Sequence, residues 1–486
     1  MTQNEGSTTI VISKKAFLTS VLILLILTVI AGILTQIIPQ GQYQRVKTID
    51  GEKIIPDSFS FIEQKSLPIY HWFTAWFEVL LNPGNTLVIS IIVFILIIGV
   101  CFSIIDKTGV LQQVIKILSD KFSNNKILLI AIISLFFMLL GSMFGIFEEM
   151  LPLIPLILLL SQKFGWDEKM ALGMSLLATG FGFAAAISNP FTLGVAQRLA
   201  DIAVFSGFGL RLIVFIVIYL ILLIFLVNNM KKLSKTSVSN NNNFSSSNEN
   251  NDKITEKNSF TNKPNQEKSI NASVIFFTLM MVIMLFFIIL TLFVKAIAGL
   301  SLPFIAIVFI TIAIGTSMIK KIPFKEILQT AAKGFSGIAP AIILILLAMG
   351  VNLLIRKGNI IDTILYYSSN QMKKTGSYGT SLGIYFITLF LNFFIGSASA
   401  KAFLLMPILT PLADITGISR QIAVLAFQFG DGFSNVIYPT NPVLLIGLAI
   451  SGVAYPKWFK FTVFLQIIVL IITSLFLLLA VAIGYR

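Results

Sequence analysis

One polar stretch occurs twice in this chain, and it constrains the fold more than any other feature. The first copy runs from Gly141 through Glu149 to Pro190, and the second runs from Gly396 through Lys401 to Pro442. Five matched positions differ by the same 252 residues: Pro155 and Pro407, Gly165 and Gly417, Gly180 and Gly432, Asn189 and Asn441, Pro190 and Pro442. Each copy places small polar residues and helix breakers inside apolar sequence, a pattern typical of a binding site at the midplane of a transporter.

Composition places the chain in a membrane. Of its 486 residues, 56% are hydrophobic and only 12% are charged, whereas soluble domains carry about 25% charged residues. One cysteine and one histidine leave little for a disulfide framework, a zinc site or enzymatic catalysis. We therefore expect no enzyme and no bound cofactor. The net charge of +14 comes from lysines at span ends and in one polar linker, which indicates lipid headgroups rather than nucleic acid as the partner.

The hydrophobic pattern predicts an all-α polytopic membrane protein with about nine transmembrane helices. Two pairs of apolar arms lie at 126–161 and 376–413. The arms of the first pair have about 16 residues each, fewer than the roughly 20 that a crossing needs. We therefore predict two re-entrant hairpins. Each is followed by a helix broken at an Asn-Pro pair, at 168–200 and 419–452. The remaining spans are predicted at 16–38, 86–106, 207–228, 273–296, 301–319, 338–355 and 459–483.

A polar linker divides the chain into halves. Residues 229–271 are rich in Asn and Ser, so we expect a disordered cytoplasmic segment. It separates an N-terminal half (1–228, repeat core 86–228) from a C-terminal half (272–486, repeat core 338–483). Five crossings between the cores predict inverted repeats. The lysines place the N-terminus and linker in the cytoplasm, although Arg356, Lys357, Lys373 and Lys374 fall on the outer side, against the positive-inside rule.

Polar and ionisable residues at the tips and breaks are the candidate site. Ionisable groups near the membrane centre cost roughly 2.5–3.5 kcal/mol on insertion scales, so they are functional candidates. Free carbonyls at a break suit Na⁺, and free amides at a half-helix N-terminus suit a carboxylate. Asp431, Asn189 and Asn441 are the candidates for a coupling ion, Na⁺ or H⁺; whether a further metal binds is left open. The predicted substrate-binding residues are Ser142, Glu148, Glu149, Ser188, Asn189, Ser397, Ser399, Lys401, Asn435, Thr440 and Asn441.

Simpler explanations exist for each feature. The breaks alone would also suit Pro-kinked packing helices, and the charged tips would also suit a water-filled vestibule. Asp431 would also suit a structural helix cap. Glu148 or Glu149 would bind a cationic amine or relay a proton. Lys401 would take a carboxylate or pair with one of the glutamates.

The tips and breaks resemble the YfcC family of carriers, which is related to the DcuC-type C4-dicarboxylate carriers of the ion transporter superfamily. The resemblance rests on residues 148–152, 188–191, 406–414 and 426–433, with further matches at 38–43 and 455–458. It implies a homodimeric, ion- or antiport-coupled transporter that binds substrate between the hairpin tips and the broken helices. Family members are assigned to basic amino acids or to C4-dicarboxylates. Lys401 departs from the family pattern, which usually has glutamine there.

The leading hypothesis is an antiporter of the cytoplasmic (inner) membrane that exchanges basic amino acids of the arginine/ornithine type. The glutamates would meet the cationic end of the substrate. A Na⁺- or H⁺-coupled C4-dicarboxylate carrier is the close alternative, since Lys401 and half-helix N-termini favour anions. A passive channel is a distant third. The sequence contains no Walker A motif, so an ion gradient or exchange would supply the energy.

Overall fold

The structure, a computed structural model, describes residues 14–48, 51–62, 67–81, 86–244, 264–293 and 300–486. These residues form an almost entirely helical protein, and nine of the described helices are long and apolar enough to cross a membrane. This confirms the predicted all-α polytopic class. The nine are α1 (Lys14–Ile37), α3 (Thr86–Lys107), α5 (Lys126–Phe144), α10 (Phe208–Phe244), α11 (Pro264–Phe293), α12 (Ser301–Ile319), α13 (Phe324–Lys357), α16 (Ala398–Thr416) and α19 (Tyr455–Ala482).

The number of candidate spans, nine, agrees with the prediction, but the set differs: α5 and α16 stand in place of the two broken helices that the prediction counted. One arm of each predicted hairpin, α5 and α16, has 19 residues, and for α5 this is longer than the 16 expected. The length argument for re-entrance therefore does not apply to these two arms. Re-entrance stays a prediction, supported by the short partner arms: α15 (Ser377–Asn392) before α16, and α6 (Ile154–Lys163) after α5.

Both predicted broken helices are broken in the structure. The first consists of α7 (Glu168–Leu172), a π-helical turn (Gly173–Leu177) and α8 (Ala178–Ala184), then an irregular stretch and α9 (Leu193–Leu199). The second consists of α17 (Arg420–Gly432), a 3₁₀ turn (Phe433–Val436), an irregular stretch and α18 (Pro442–Ser451). Each Asn-Pro pair lies just where the chain is irregular, because proline lacks the amide that a continuing helix would use.

The two broken helices cross each other around an approximate two-fold axis. A Cβ on Gly180 would lie 2.2 Å from the Val436 side chain, and a Cβ on Gly432 would lie 2.3 Å from the Ala184 Cα. Gly180 and Gly432 are matched positions, and so are Ala184 and Val436. Reciprocal contact of this kind is the signature of an isologous, two-fold interface. The glycines are needed because the helices leave no room for a side chain.

The outer elements differ from the sequence expectation in three places. The polar segment after α1 forms two antiparallel strand pairs, β1 (Gly41–Gln42) with β4 (Ser60–Phe61) and β2 (Arg45–Thr48) with β3 (Gly51–Ile54). Helix α13 begins at Phe324, 14 residues before the predicted span, and continues through Pro340. Helices α10 and α11 extend to Phe244 and back to Pro264, into both ends of the predicted linker 229–271. The centre of that linker, 245–263, lies outside the described residues, and the division into halves stays a prediction.

Three short helices complete the described chain. Helix α2 (Tyr70–Leu81) packs on α13, where a Cβ on Gly350 would lie 2.9 Å from the Trp76 amide nitrogen. Helices α4 (Val110–Phe122) and α14 (Ile361–Met372) follow α3 and α13. Asp362 in α14 forms an ion pair of 2.8 Å with Arg45, so this pair fastens the strand region to the C-terminal half.

Candidate binding site between the two helix hairpins

Asn189 and Asn441 hold the two breaks in the same way. The Asn189 Oδ1 accepts hydrogen bonds from the amides of Phe191 and Thr192, at 2.9 and 3.3 Å. The Asn441 Oδ1 accepts from the amides of Val443 and Leu444, also at 2.9 and 3.3 Å. Asn441 is the N-cap of α18, a contribution of about 1 kcal/mol to helix stability, whereas Asn189 closes a turn before α9, which begins at Leu193. The 252-residue offset therefore corresponds to one backbone structure built twice.

Three predicted site residues tie each hairpin tip to its break instead of facing open space. The Ser142 hydroxyl donates to the Ala185 carbonyl (2.9 Å) and accepts from the Ile187 amide (3.0 Å). Ser188 donates to the Met143 carbonyl at 3.3 Å. In the second repeat, the matched Thr440 donates to the Phe393 carbonyl at 2.6 Å. None of the three hydroxyl residues lines the cavity described next, nor does Asn189.

A cavity of about 480 Å³ lies between the two tips. Its size falls within the range of small-molecule sites, roughly 300–1,000 Å³. Helices outside the repeated stretch complete the wall, since it includes Val88 of α3, Ser301 of α12 and Arg356 of α13. Six predicted site residues line it: Glu148, Glu149, Ser397, Ser399, Asn435 and Asn441.

The acidic side of the cavity is formed by Glu148 and Glu149, at the start of the 3₁₀ helix Glu148–Leu153. The Glu149 carboxylate accepts hydrogen bonds from the Ser301 hydroxyl (3.0 Å) and the Phe147 amide (3.3 Å). Both side chains are half-buried. Among the described residues no lysine, arginine or histidine forms an ion pair with either carboxylate. The cavity therefore presents two carboxylates without a protein counter-charge in contact.

Arg356 is the single cation among the described cavity-lining residues, and sequence reasoning missed it. In the sequence, its position at a span end indicates only a topology signal. Asn352, one helical turn earlier, also lines the cavity, and its buried Oδ1 has no hydrogen-bond partner among the described residues. Their spacing of four places them on one face of the helix, after a run that is apolar from Ile338 to Val351, and this was the signal available. Ser301 was also missed, and the sequence around it offers no comparable signal.

Lys357 follows Arg356 directly but points elsewhere, because Glu78 of α2 binds it. Burial alone would raise the pKa of Glu78, but hydrogen bonds from Lys357, Thr74 and His71 lower it to about 2. Glu78 therefore stays ionised at neutral pH and keeps the neighbouring ammonium away from the cavity.

Lys401 does not meet either glutamate and does not line the cavity. Its ammonium is fully buried and donates to the Asp431 carboxylate and to the Asn392 carbonyl oxygen. Asp431 is equally buried. The expectation that Lys401 pairs with a glutamate is therefore wrong for this structure, and its contact with a substrate carboxylate stays a prediction. The proposed coupling-ion role of Asp431 has to account for a lysine already bound to it.

A chain of amides links this buried pair to the cavity. The Asn392 Nδ2 donates to the Ser434 hydroxyl (2.6 Å) and to the Asn435 Oδ1 (3.0 Å). The same Asn435 Oδ1 also accepts from the Asn441 Nδ2 at 3.2 Å. Because Asn435 and Asn441 line the cavity, the cavity wall is oriented by the ion pair behind it.

The second hairpin tip presents the N-terminus of α16 to the cavity. Ser397 caps this 19-residue helix by accepting from the Ala400 amide at 3.4 Å. Ser399, in the first turn, donates to the carbonyl of Phe191 in the first repeat at 2.7 Å. Helix N-termini carry partial positive charge and attract carboxylates. The cavity thus has an acidic side at the first tip and an electropositive side at Arg356 and α16.

Comparison with known proteins agrees with this architecture. The family model described as "DcuC: C4-dicarboxylate anaerobic carrier" matches residues 17–482. The "Putative basic amino acid antiporter YfcC" of Escherichia coli (strain K12) is 30% identical over 82% of this chain and 78% of its own length. An uncharacterized protein of Haemophilus influenzae is 26% identical over 82% of this chain and 77% of its own length.

Two solved transporters align over most of the chain at low similarity. The YdaH transporter of Alcanivorax borkumensis has a TM-score of 0.41 and 14% identity, covering 96% of this chain and 98% of its own. MtrF of Neisseria gonorrhoeae, described among antimetabolite efflux pumps, has a TM-score of 0.40 and 16% identity, covering 95% and 94%.

The family match and the relationship to YfcC confirm the resemblance seen in the repeated stretch. Both names are those of transporters, which also confirms that the chain is not an enzyme. With nine helices in its described part that are long and apolar enough to cross a membrane, the chain is a multi-pass membrane transporter that belongs to the DcuC family of carriers and is related to YfcC.

Proposed function

We propose that the chain is an antiporter that exchanges basic amino acids of the arginine/ornithine type, and that the cavity between the hairpin tips binds them. One observation carries the proposal. Two carboxylates, Glu148 and Glu149, and one guanidinium, Arg356, line the cavity. A basic amino acid carries two cationic groups and one carboxylate. The cavity therefore has the complementary charge of each substrate group, in matching number.

The polar groups suggest an orientation for the bound amino acid. Arg356 and the α16 N-terminus face the α-carboxylate, and Glu148 and Glu149 face the amino and side-chain cations. Asn352, Asn435 and Asn441 offer further hydrogen bonds between the two ends. The name of YfcC supports the same substrate class.

A C4-dicarboxylate is the second candidate, since Arg356 and the α16 N-terminus would bind one carboxylate, and the family description names such substrates. The second carboxylate would meet Glu148 and Glu149 with like charge. Lys401, which would otherwise compensate, is bound to Asp431. Complementary charge therefore favours the basic amino acid.

The same charges support exchange over one-way transport. The empty cavity carries two carboxylates against one guanidinium, and an uncompensated charge within the membrane costs roughly 2.5–3.5 kcal/mol on insertion scales. A basic amino acid, with its net positive charge, neutralises this excess. The loaded carrier then reorients more readily than the empty one, and this difference links outward movement of one substrate to inward movement of another.

The location proposed is the cytoplasmic membrane, and the positive-inside rule supports an orientation with the N-terminus and linker in the cytoplasm. In that orientation Ser301 and Arg356 lie near the outer ends of α12 and α13, so the cavity lies toward the outside. The homodimer implied by the family resemblance is retained as part of this proposal.

Counterflow in proteoliposomes tests the substrate class. Vesicles are preloaded with unlabelled arginine, and labelled arginine is supplied outside with ornithine, citrulline or succinate as competitor. Citrulline is the matched control, because it has the size of arginine without the guanidinium charge. We expect arginine to accumulate, ornithine to compete, and citrulline and succinate to have little effect. Counterflow of succinate without counterflow of arginine would instead establish the dicarboxylate carrier.

A further inference from the structure

A buried ammonium occupies an oxygen-lined space behind the wall of the cavity. The Lys401 side chain is fully buried, and its Nζ donates to one oxygen of Asp431 and to the Asn392 carbonyl oxygen. The other Asp431 oxygen is buried without a hydrogen-bond partner among the described residues, as is the Thr388 hydroxyl. Thr388 lies one turn before Asn392 on α15 and packs against Gly430. A carboxylate oxygen and an amide oxygen therefore bind a single buried positive charge, and a second carboxylate oxygen and a hydroxyl are buried on the same helices without a partner among the described residues.

We propose that this space is a monovalent-cation site, of the Na⁺ type, which the chain fills with its own lysine. Oxygen ligands of this kind are those that hard cations bind. One carboxylate balances one positive charge, which matches an alkali cation or an ammonium and not a divalent ion. Because the lysine is covalently attached, its charge cannot leave the site during transport.

The position of the site, behind the cavity wall, gives the cation a structural role. Lys401 binds Asn392, and Asn392 binds the cavity-lining Asn435 at 3.0 Å. The cation thereby fixes the side chains that face the substrate, and Lys401 acts as a positioning residue. In the first repeat the matched positions hold Glu149 and Thr179, so the same space is not built there. Resting on the proposed function, we infer that the second repeat contributes no dissociable ion to the transport cycle.

Removal of the tethered charge tests the proposal directly. In Lys401→Met the side chain is one heavy atom shorter and carries no charge, so the Asp431 carboxylate is left buried and unpaired. Thermal unfolding of the purified, detergent-solubilised protein is compared in NaCl and in choline chloride of equal ionic strength. We expect the same melting temperature for the parent protein in both salts. We expect Lys401→Met to melt lower in choline and to gain about 2–3 °C when NaCl reaches about 100 times the dissociation constant of the site.

The double variant Lys401→Met/Asp431→Asn is the matched control, because it removes the ammonium together with the carboxylate charge. It should be more stable in choline than Lys401→Met alone, and NaCl should not change its melting temperature. A Lys401→Met protein without a Na⁺ response, or one that is unfolded in both salts, would overturn the proposal. So would a parent protein that Na⁺ stabilises as much as the variant. Because melting needs no transport substrate, failure here is distinguishable from failure of arginine counterflow.

Discussion

Arg356 provides the sharpest test of the proposed binding site, since Lys357 beside it is a natural control. Arg356 lines the cavity, whereas Lys357 is paired with Glu78. Loss of a hydrogen bond to a charged group costs about 1.5–3 kcal/mol. Arg356 is exposed, so water screens its charge, and we take the low end of this range. At 1.4 kcal/mol per factor of ten, Arg356→Gln should raise the half-saturating arginine concentration about tenfold.

The assay is uptake of labelled arginine into preloaded proteoliposomes, with agmatine as a competing ligand. Agmatine is arginine without its carboxylate, so its competition should change little in Arg356→Gln while arginine binding weakens. Lys357→Gln should leave both affinities within about twofold, because exposed ion pairs contribute little. Equal effects of the two substitutions, or equal weakening of arginine and agmatine, would refute contact between Arg356 and the substrate carboxylate.

Three further predictions follow from the same structure. Glu149→Gln and Glu148→Gln should each weaken arginine binding about tenfold or more and narrow its preference over citrulline; competition counterflow measures both, and unchanged selectivity would contradict a role for the glutamates. Gly432→Ala should destabilise the protein by about 1–3 kcal/mol, because its Cβ would lie 2.3 Å from the backbone of the first broken helix; Gly209→Ala, where a Cβ meets nothing within 4 Å, is the control in thermal unfolding. Asn441→Ala should cost about 1 kcal/mol of stability through loss of its cap and should also weaken substrate binding. Parallel melting and uptake measurements would show both effects, and a variant with unchanged stability and unchanged affinity would contradict the role of the cap.

The repeated backbone was predictable from sequence because it depends on local chemistry. Proline ends hydrogen bonding wherever it occurs in a helix, and asparagine caps the amides that follow it. The matched pairs Asn189-Pro190 and Asn441-Pro442 therefore located both breaks without knowledge of the fold. The reciprocal contacts of Gly180 and Gly432 agree with the same 252-residue offset.

The side-chain pairings were not predictable in this way. Lys401 and Asp431 lie on α16 and α17, and Asn392 lies at the end of α15, so their contact depends on the packing of three helices. In the sequence, Arg356 is a charge at the end of a span. Such a position fits a topology signal and a substrate-binding residue equally well. The hydroxyls of Ser142, Ser188 and Thr440 have the right chemistry to bind a ligand. In the structure they form hydrogen bonds with the backbone of the hairpin tips and breaks instead.

The two repeats therefore share a backbone but differ in what their charges do. At the position where the first repeat presents Glu149 to the cavity, the second repeat buries Lys401 against Asp431. Lys401, which the sequence predicts as a ligand for anions, is instead paired with a carboxylate of the protein itself. The electropositive side is supplied instead by Arg356, from a helix outside both hairpins. Under the proposed function, the charges that remain unpaired at the cavity, those of Glu148, Glu149 and Arg356, select the substrate class.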